Sequence, residues 1–153
     1  MHVHIIWIGK TKDRLYEDIC KTYQKHIASF ASLEITEIPS ELKSFDNRKQ
    51  IQEQEQEKIF KILRSDYHYF YLDESGKEYD SIEFSQHIFS TIQQTGKLGF
   101  IIGGVYGFSD QIKQRQECIS FSRMTFTHQM IRIILLEQIY RACTIEYNKQ
   151  YHY

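Results

Sequence analysis

The stretch LGFIIGGVYGFS, residues 98–109, decides the fold. Leu98–Ile102 is a short apolar run, the composition of a strand buried on both faces. It runs into Gly103 and Gly104, then Gly107, then Ser109. Ser109 or Asp110 can cap a brief helix through about Arg115. A buried strand, a glycine turn and a helix start make up the repeating unit of a parallel α/β sheet. Outward from this stretch the alternation continues in both directions. Val3–Ile8 reads as a strand ended by Gly9. Asp13–Phe30 reads as a helix, with Leu15, Ile19, Tyr23 and Ile27 on one face at i, i+4 spacing. Leu33–Ile38 is strand-like and Pro39 stops it. Asn47–Arg64 is helical, and its Gln- and Glu-rich part, Gln50–Glu57, reads as a solvated face. Tyr67–Leu72 is an aromatic strand closed by Asp73-Glu74-Ser75-Gly76. Asp80 and Glu83 form a capping-box pair that opens a helix to about Gln94. Ile119–Phe121 is a further short strand. Thr127–Tyr147 is the last and most apolar helix, and Asn148–Tyr153 is a tail. The expectation is one α/β domain over residues 1–153, a mostly parallel sheet flanked by helices. In such sheets ligands bind beyond the carboxyl ends of strands. That selects the loops after Leu72, after Ile102 and after Phe121.

Composition bounds the function. At 153 residues the chain can bury a real core, and 41% hydrophobic with 25% charged residues is ordinary for a globular protein. No apolar run approaches the ~20 residues of a membrane helix. Met1–Ile8 is apolar but short, without a basic start or a small-residue cleavage site, so it reads as a strand rather than a signal peptide. Cys20, Cys118 and Cys143 lie far apart without CxxC spacing, which suits free thiols in a reducing cytoplasm and suggests no metal site. The net charge is −1. Residues 1–30 carry five Lys or Arg against three acids, and residues 98–153 six against four. Residues 31–66 carry six against eight, and residues 67–97 two against five. This weak charge argues against a protein that grips bare nucleic acid, whose domains usually have a pI above ~9.

Four stretches could carry chemistry. Five of the seven glycines fall between Gly96 and Gly107. They can bring a ligand close to the main chain, or simply make a tight turn. The order matches neither a dinucleotide fingerprint nor a phosphate loop. SFSRMTFTH, residues 120–128, is dense in hydroxyls that could bond a nucleoside, or Thr127 could merely cap the last helix. On that helix Glu137 and Arg141 are spaced to pair. The helix is apolar nearly all round, so the expectation is cover from the chain's own sheet on one side and from a second subunit on the other. In the tail, Tyr151 and Tyr153 flank His152, a pattern able to stack on a base and accept a proton near neutral pH. No GxSxG or HExxH is present, so a hydrolase has no nucleophile here.

Taken together, YLDESG (71–76), IGGVYG (102–107), SFSRMTFTHQMIRIILLEQIYRA (120–142) and NKQYHY (148–153) resemble the RlmH family of ribosomal RNA large-subunit methyltransferases. The resemblance runs over the whole chain. It implies a SPOUT-type α/β-knot fold with a C-terminal trefoil knot, a homodimer with its site at the subunit seam, and S-adenosylmethionine as cofactor. It implies methylation of N3 of a pseudouridine in 23S ribosomal RNA, on the assembled ribosome. Carried over by position, Leu72, Gly103, Gly104, Ser122, Arg123, Met124, Thr125, Phe126 and Thr127 would hold the cofactor. His152 would assist loss of the N3 proton, and Tyr151 would orient the base. Arg132 and Glu137 match charged positions near the site, and Arg132 could offset charge on the base oxygens. The chain departs from the family pattern at Tyr153, where many members carry a basic residue. It departs again at Thr127 and Gln129, where many place Pro beside the hinge His. Two alternatives stay open from the residues: a non-catalytic ribosome-associated module that binds the cofactor, and a methylase of the same fold with a different RNA site.

Overall fold

The computed structural model describes residues 1–44 and 47–151. Five strands and five helices alternate: β1 (His2–Ile8), α1 (Arg14–Ile27), β2 (Ser32–Ile38), α2 (Arg48–Ile62), β3 (His68–Glu78), α3 (Ser81–Thr95), β4 (Lys97–Ile102), α4 (Asp110–Arg115), β5 (Cys118–Ser120) and α5 (His128–Glu146). The sheet order is β2-β1-β4-β3-β5, and every pairing is parallel. Strand β1, inside the sheet between β2 and β4, is buried from Val3 to Ile8, as a strand paired on both sides and covered on both faces must be.

Alternation along the strands separates two cores. Val3, Ile5, Trp7, Phe70, Leu98, Phe100 and Ile102 point to the face that α1, α3 and α5 cover. Ile6, Ile8, Tyr71 and Ile101 point to the other face, against Ile59 of α2, Phe108 and Ile112. The caps form as the sequence leads one to expect. Asp80 and Glu83 close a capping box, Ser109 caps α4 and Thr127 caps α5.

Three expectations need correction. In α1, Leu15 is 66% exposed and not part of the packed face; Cys20 and Ile27 are the buried positions. The helix N-terminus overhangs the core there, held by the Asp13 amide donating to Gln129 Oε1. The Gln50–Glu57 stretch is not simply a solvated face, because Glu55 is as buried as Ile51 and Ile59 beside it. Strand β3 does not end at Leu72. Both Leu72 and Lys77 register with Ile119 of β5, so residues 73–76 form an excursion inside the strand. Asp73 makes it, turning its carboxylate back to accept from the Ser75 amide at 3.0 Å and hydroxyl at 2.5 Å. Gly76 then passes so close to β5 that a Cβ would lie 2.6 Å from the Ile119 carbonyl carbon.

Helix α5 packs between α1 and α3. Leu135, Leu136, Ile139, Ala142 and Cys143 are buried beneath it. Its outer side keeps Met130, Ile134, Glu137, Gln138 and Arg141 partly exposed. No helix among the described residues is long and apolar enough to cross a membrane.

Candidate active site

The three stretches selected from the sequence, now the 73–76 excursion within β3 and the loops after β4 and β5, meet around an open cleft of about 320 Å³. That volume lies at the lower end of the ~300–1,000 Å³ usual for small-molecule sites. Leu72, Ile102, Ile119 and Phe121 give it an apolar floor. Gly103 to Gly107 form one wall, and Ser122, Met124, Thr125 and Phe126 form the opposite one. The entrance carries Asp73, Glu74, Arg48, Lys113 and His128.

The walls are held by short polar links. Gly107, with φ of +61°, turns the chain back so that its amide donates to the Gly104 carbonyl at 2.9 Å. Ser120 Oγ donates to the Ser122 carbonyl at 3.0 Å and accepts from the Ser122 amide. Ser122 Oγ accepts from the Met124 amide at 3.0 Å, and Thr125 Oγ1 donates to Glu74 Oε2 at 2.9 Å. The third loop is thereby tied both to itself and to the β3 excursion.

Two ionisable groups at the entrance have settled charge states. Burial works against ionisation of Asp73, but the Ser75 hydroxyl and amide and the Lys113 ammonium outweigh it and hold the carboxyl below the usual carboxylate range. Burial, with the nearby Arg132 charge, pushes the His128 imidazole down, so at neutral pH it is an uncharged ring. The Asp73 shift has a measurable sign. A carboxyl whose folded pKa is depressed adds stability above its ordinary value, about 3.9, and that stability drains away as pH falls below it. Asp73→Asn should therefore melt lower than wild type at pH 7, with the gap closing as pH falls below about 4. Parallel melting curves over that range would disprove the assignment.

The model of the family described as "Predicted SPOUT methyltransferase" matches residues 1–152. A ribosomal RNA large subunit methyltransferase H from Cytophaga hutchinsonii is 38% identical over the full length of both chains. Proteins of the same name from Parabacteroides distasonis and Dictyoglomus thermophilum are 39% and 40% identical, again covering all of this chain and 99% and 100% of theirs. The chain belongs to the ribosomal RNA large subunit methyltransferase H family of SPOUT methyltransferases. The fold agrees. A probable methylase family protein from Haemophilus influenzae superposes with a TM-score of 0.55 over 99% of this chain and 70% of its own, at 11% identity.

Of the positions that the methyltransferase H resemblance assigns to the cofactor, Leu72, Gly103, Gly104, Ser122, Met124, Thr125 and Phe126 line the one cleft. Two do not. Arg123 points outward with its side chain 88% exposed, 3.9 Å from Glu78. Thr127 uses its hydroxyl to cap α5, accepting from the Met130 amide. Three further assigned positions lie away from the cleft. Arg132 is 1% exposed and packs over the Trp7 ring. Its guanidinium donates to the Ile8 and Gly9 carbonyls at 2.7 and 2.9 Å and to Thr11 Oγ1 at 2.8 Å. Its two terminal nitrogens are bonded to the β1–α1 turn and it lies outside the cleft lining, whereas the resemblance would have it offset charge on the base. Glu137 pairs with Arg141, Nε to Oε1 at 2.9 Å, as the spacing predicts. Tyr151 lies against that pair, its hydroxyl 3.4 Å from Glu137 Oε1 and its ring beneath the Arg141 guanidinium. His152 and Tyr153 lie outside the described residues.

The sequence reading missed the contribution of α2. Gln52 Nε2 donates to the Tyr106 carbonyl at 2.9 Å, and Gln56 Oε1 accepts from Ser109 Oγ at 3.3 Å. Both fasten the glycine loop from behind. One signal was available: Glu55 stands at i, i+4 between Ile51 and Ile59, on the apolar face of its helix.

Proposed function

We propose that this chain methylates N3 of a pseudouridine in 23S ribosomal RNA. The donor in this reading is S-adenosylmethionine, and the enzyme acts on assembled ribosomes in the cytoplasm. The observation that carries the reading is the convergence of the 73–76 excursion of β3 and the loops after β4 and β5 on a single cleft. The cleft fits such a cofactor on its own terms. It has an apolar floor for a planar base, a glycine wall that lets a ligand approach the main chain, and hydroxyls on the facing wall. Leu72, Gly103, Gly104 and the 122–126 loop would hold the molecule. The bound cofactor would supply an activated methyl group for in-line displacement.

The protein's own part is mostly positioning, which can account for much of such a rate. At the cleft entrance Asp73 is ion-paired with Lys113, and burial with the nearby Arg132 charge lowers the His128 imidazole below its ordinary value, which makes it a weaker proton acceptor. The acceptor of the N3 proton is therefore sought in the tail, with His152 as the candidate and Tyr151 orienting the base. The base must be unpaired or flipped to be reached.

Residues 1–153 act in this reading as one domain, and two chains act as a homodimer. Apolar side chains exposed around the start of α5 support the pairing: Met124 is 74%, Met130 38% and Leu15 66% exposed. A C-terminal trefoil knot belongs to the same reading. The weak charge has a use: with little phosphate neutralisation available, the shape of an assembled ribosome would supply the grip.

The test has two parts. Titration calorimetry should find S-adenosylmethionine binding, and mass spectrometry of 23S RNA should find N3-methylpseudouridine after incubation with ribosomes from a deletion strain. Binding without transfer would reduce the chain to a cofactor-binding module. A methyl group at another nucleotide would change the substrate, and equal methylation of naked 23S RNA would remove the ribosome requirement.

A further inference from the structure

Position 104 has no backbone reason to be glycine. Only Gly9, Gly96 and Gly107 take a positive φ among the described glycines. The reason is a neighbour: a Cβ on Gly104 would run into the carboxylate of Glu55, and the nearest atoms it would meet all belong to that one side chain. Glu55 is 3% exposed. Its Oε1 accepts from Ser40 Oγ at 3.2 Å and from the Glu41 amide at 3.1 Å. Burial pushes its carboxyl up, against the pull of those two donors. A leucine would complete the apolar face of Ile51 and Ile59 without the cost of desolvating a carboxylate. The acid therefore does something that packing does not.

Its surroundings show what. The seam between α2 and the glycine loop is filled, leaving about 10 Å³, less than room for a second water-sized guest. Glu55 backs the loop at its centre, while Gln52 and Gln56 fasten Tyr106 and Ser109. Lys58, one turn on, is ion-paired with Glu41, so the β2–α2 turn is locked to the same helix.

We propose that Glu55 is a positioning residue for the cofactor cleft: one oxygen ties the β2–α2 turn to α2, and the carboxylate backs Gly104 and sets the depth of the Gly103–Gly104 turn. This rests on the reading that the cleft binds S-adenosylmethionine. Glu55 acts from behind the wall, so its loss should weaken binding and leave the transfer step nearly alone.

Calorimetry with S-adenosylmethionine and single-turnover methylation of ribosomes test it on four variants of the full chain. Glu55→Ala should raise Kd about tenfold, with the transfer rate at saturation within about twofold. Glu55→Gln should stay within about twofold in Kd, since its carbonyl can accept the same two bonds. Gly104→Ala should raise Kd by about tenfold or more, and the double variant Glu55→Ala with Gly104→Ala should bind more tightly than Gly104→Ala alone, because the new methyl then has room. Multiplying Kd shifts in the double variant, or a Glu55→Ala protein that binds as wild type, would overturn the proposal. Should Glu55→Ala not fold by circular dichroism, Glu55→Asp, which withdraws the carboxylate by one methylene, takes its place with the same expectations. Wild type that binds no S-adenosylmethionine would instead sink the cofactor reading itself.

Discussion

Replacing Arg132 with methionine should cost about 3 kcal/mol of stability, through two carbonyls left unpaired and a lost cation–ring contact. For a chain of this length that is a fall of roughly 6–12 °C in Tm. Methyl transfer per folded molecule should change far less. The guanidinium occupies a buried slot under α5, where the Ile8 and Gly9 carbonyls at the end of β1 have it as their donor. Methionine fills much of the volume against Trp7 but donates nothing. Relief of the buried charge offsets part of the loss, which keeps the figure near 3 rather than near 6. Lysine should not rescue fully, because a single ammonium cannot reproduce the fork that spans Ile8, Gly9 and Thr11. Thermal denaturation and single-turnover transfer, both normalised to folded protein, check this. An unchanged Tm with a collapsed transfer rate would return Arg132 to the chemistry.

Arg132 also marks where the sequence stops being legible. The element order could be read because each element has a local cause: the apolar run of β1, the capping box at Asp80, the Ser109 cap, the glycines after Ile102. The placing of the cleft followed from the general behaviour of parallel sheets, which needs only strand ends. Pattern cannot tell whether a charge on an apolar helix faces a ligand or a distant turn. Arg132 and Glu137 looked alike in sequence, yet one is buried against the Trp7 ring and the other pairs on the outer side of α5. Glu55 was illegible for the opposite reason. It sits in a Gln- and Glu-rich run whose simplest reading is solvation, and its burial depends on Gly104, some fifty positions away. The β3 excursion shows a further limit. DESG reads correctly as a turn, but the resumption of strand pairing beyond it depends on β5.

The largest effect should come from the tail. His152→Ala should slow single-turnover methylation of ribosomes by roughly 10²–10⁴-fold, the usual share of a positioned acid–base group, with S-adenosylmethionine affinity unchanged. Lost cofactor binding would move His152 into the cofactor pocket, and normal turnover would remove it from the mechanism. The tail's anchoring makes a sharper forecast. Tyr151 is held beside Glu137, nine residues along α5 from His128 at the cleft, or about 13 Å at 1.5 Å per residue. Tyr151 stands that far from its own chain's cleft, so in the homodimer reading the tail serves the partner's. Mixing His152→Ala chains with chains whose cleft is blocked by Gly104→Leu then becomes decisive. Random pairing makes half the dimers mixed, and each mixed dimer holds one complete site, an intact cleft with an intact tail from the other chain. Activity should recover to about a quarter of wild type from two parents that are each nearly inactive. If the tail served its own cleft, the mixture would stay inactive, because one chain would lack the tail His and the other the cleft.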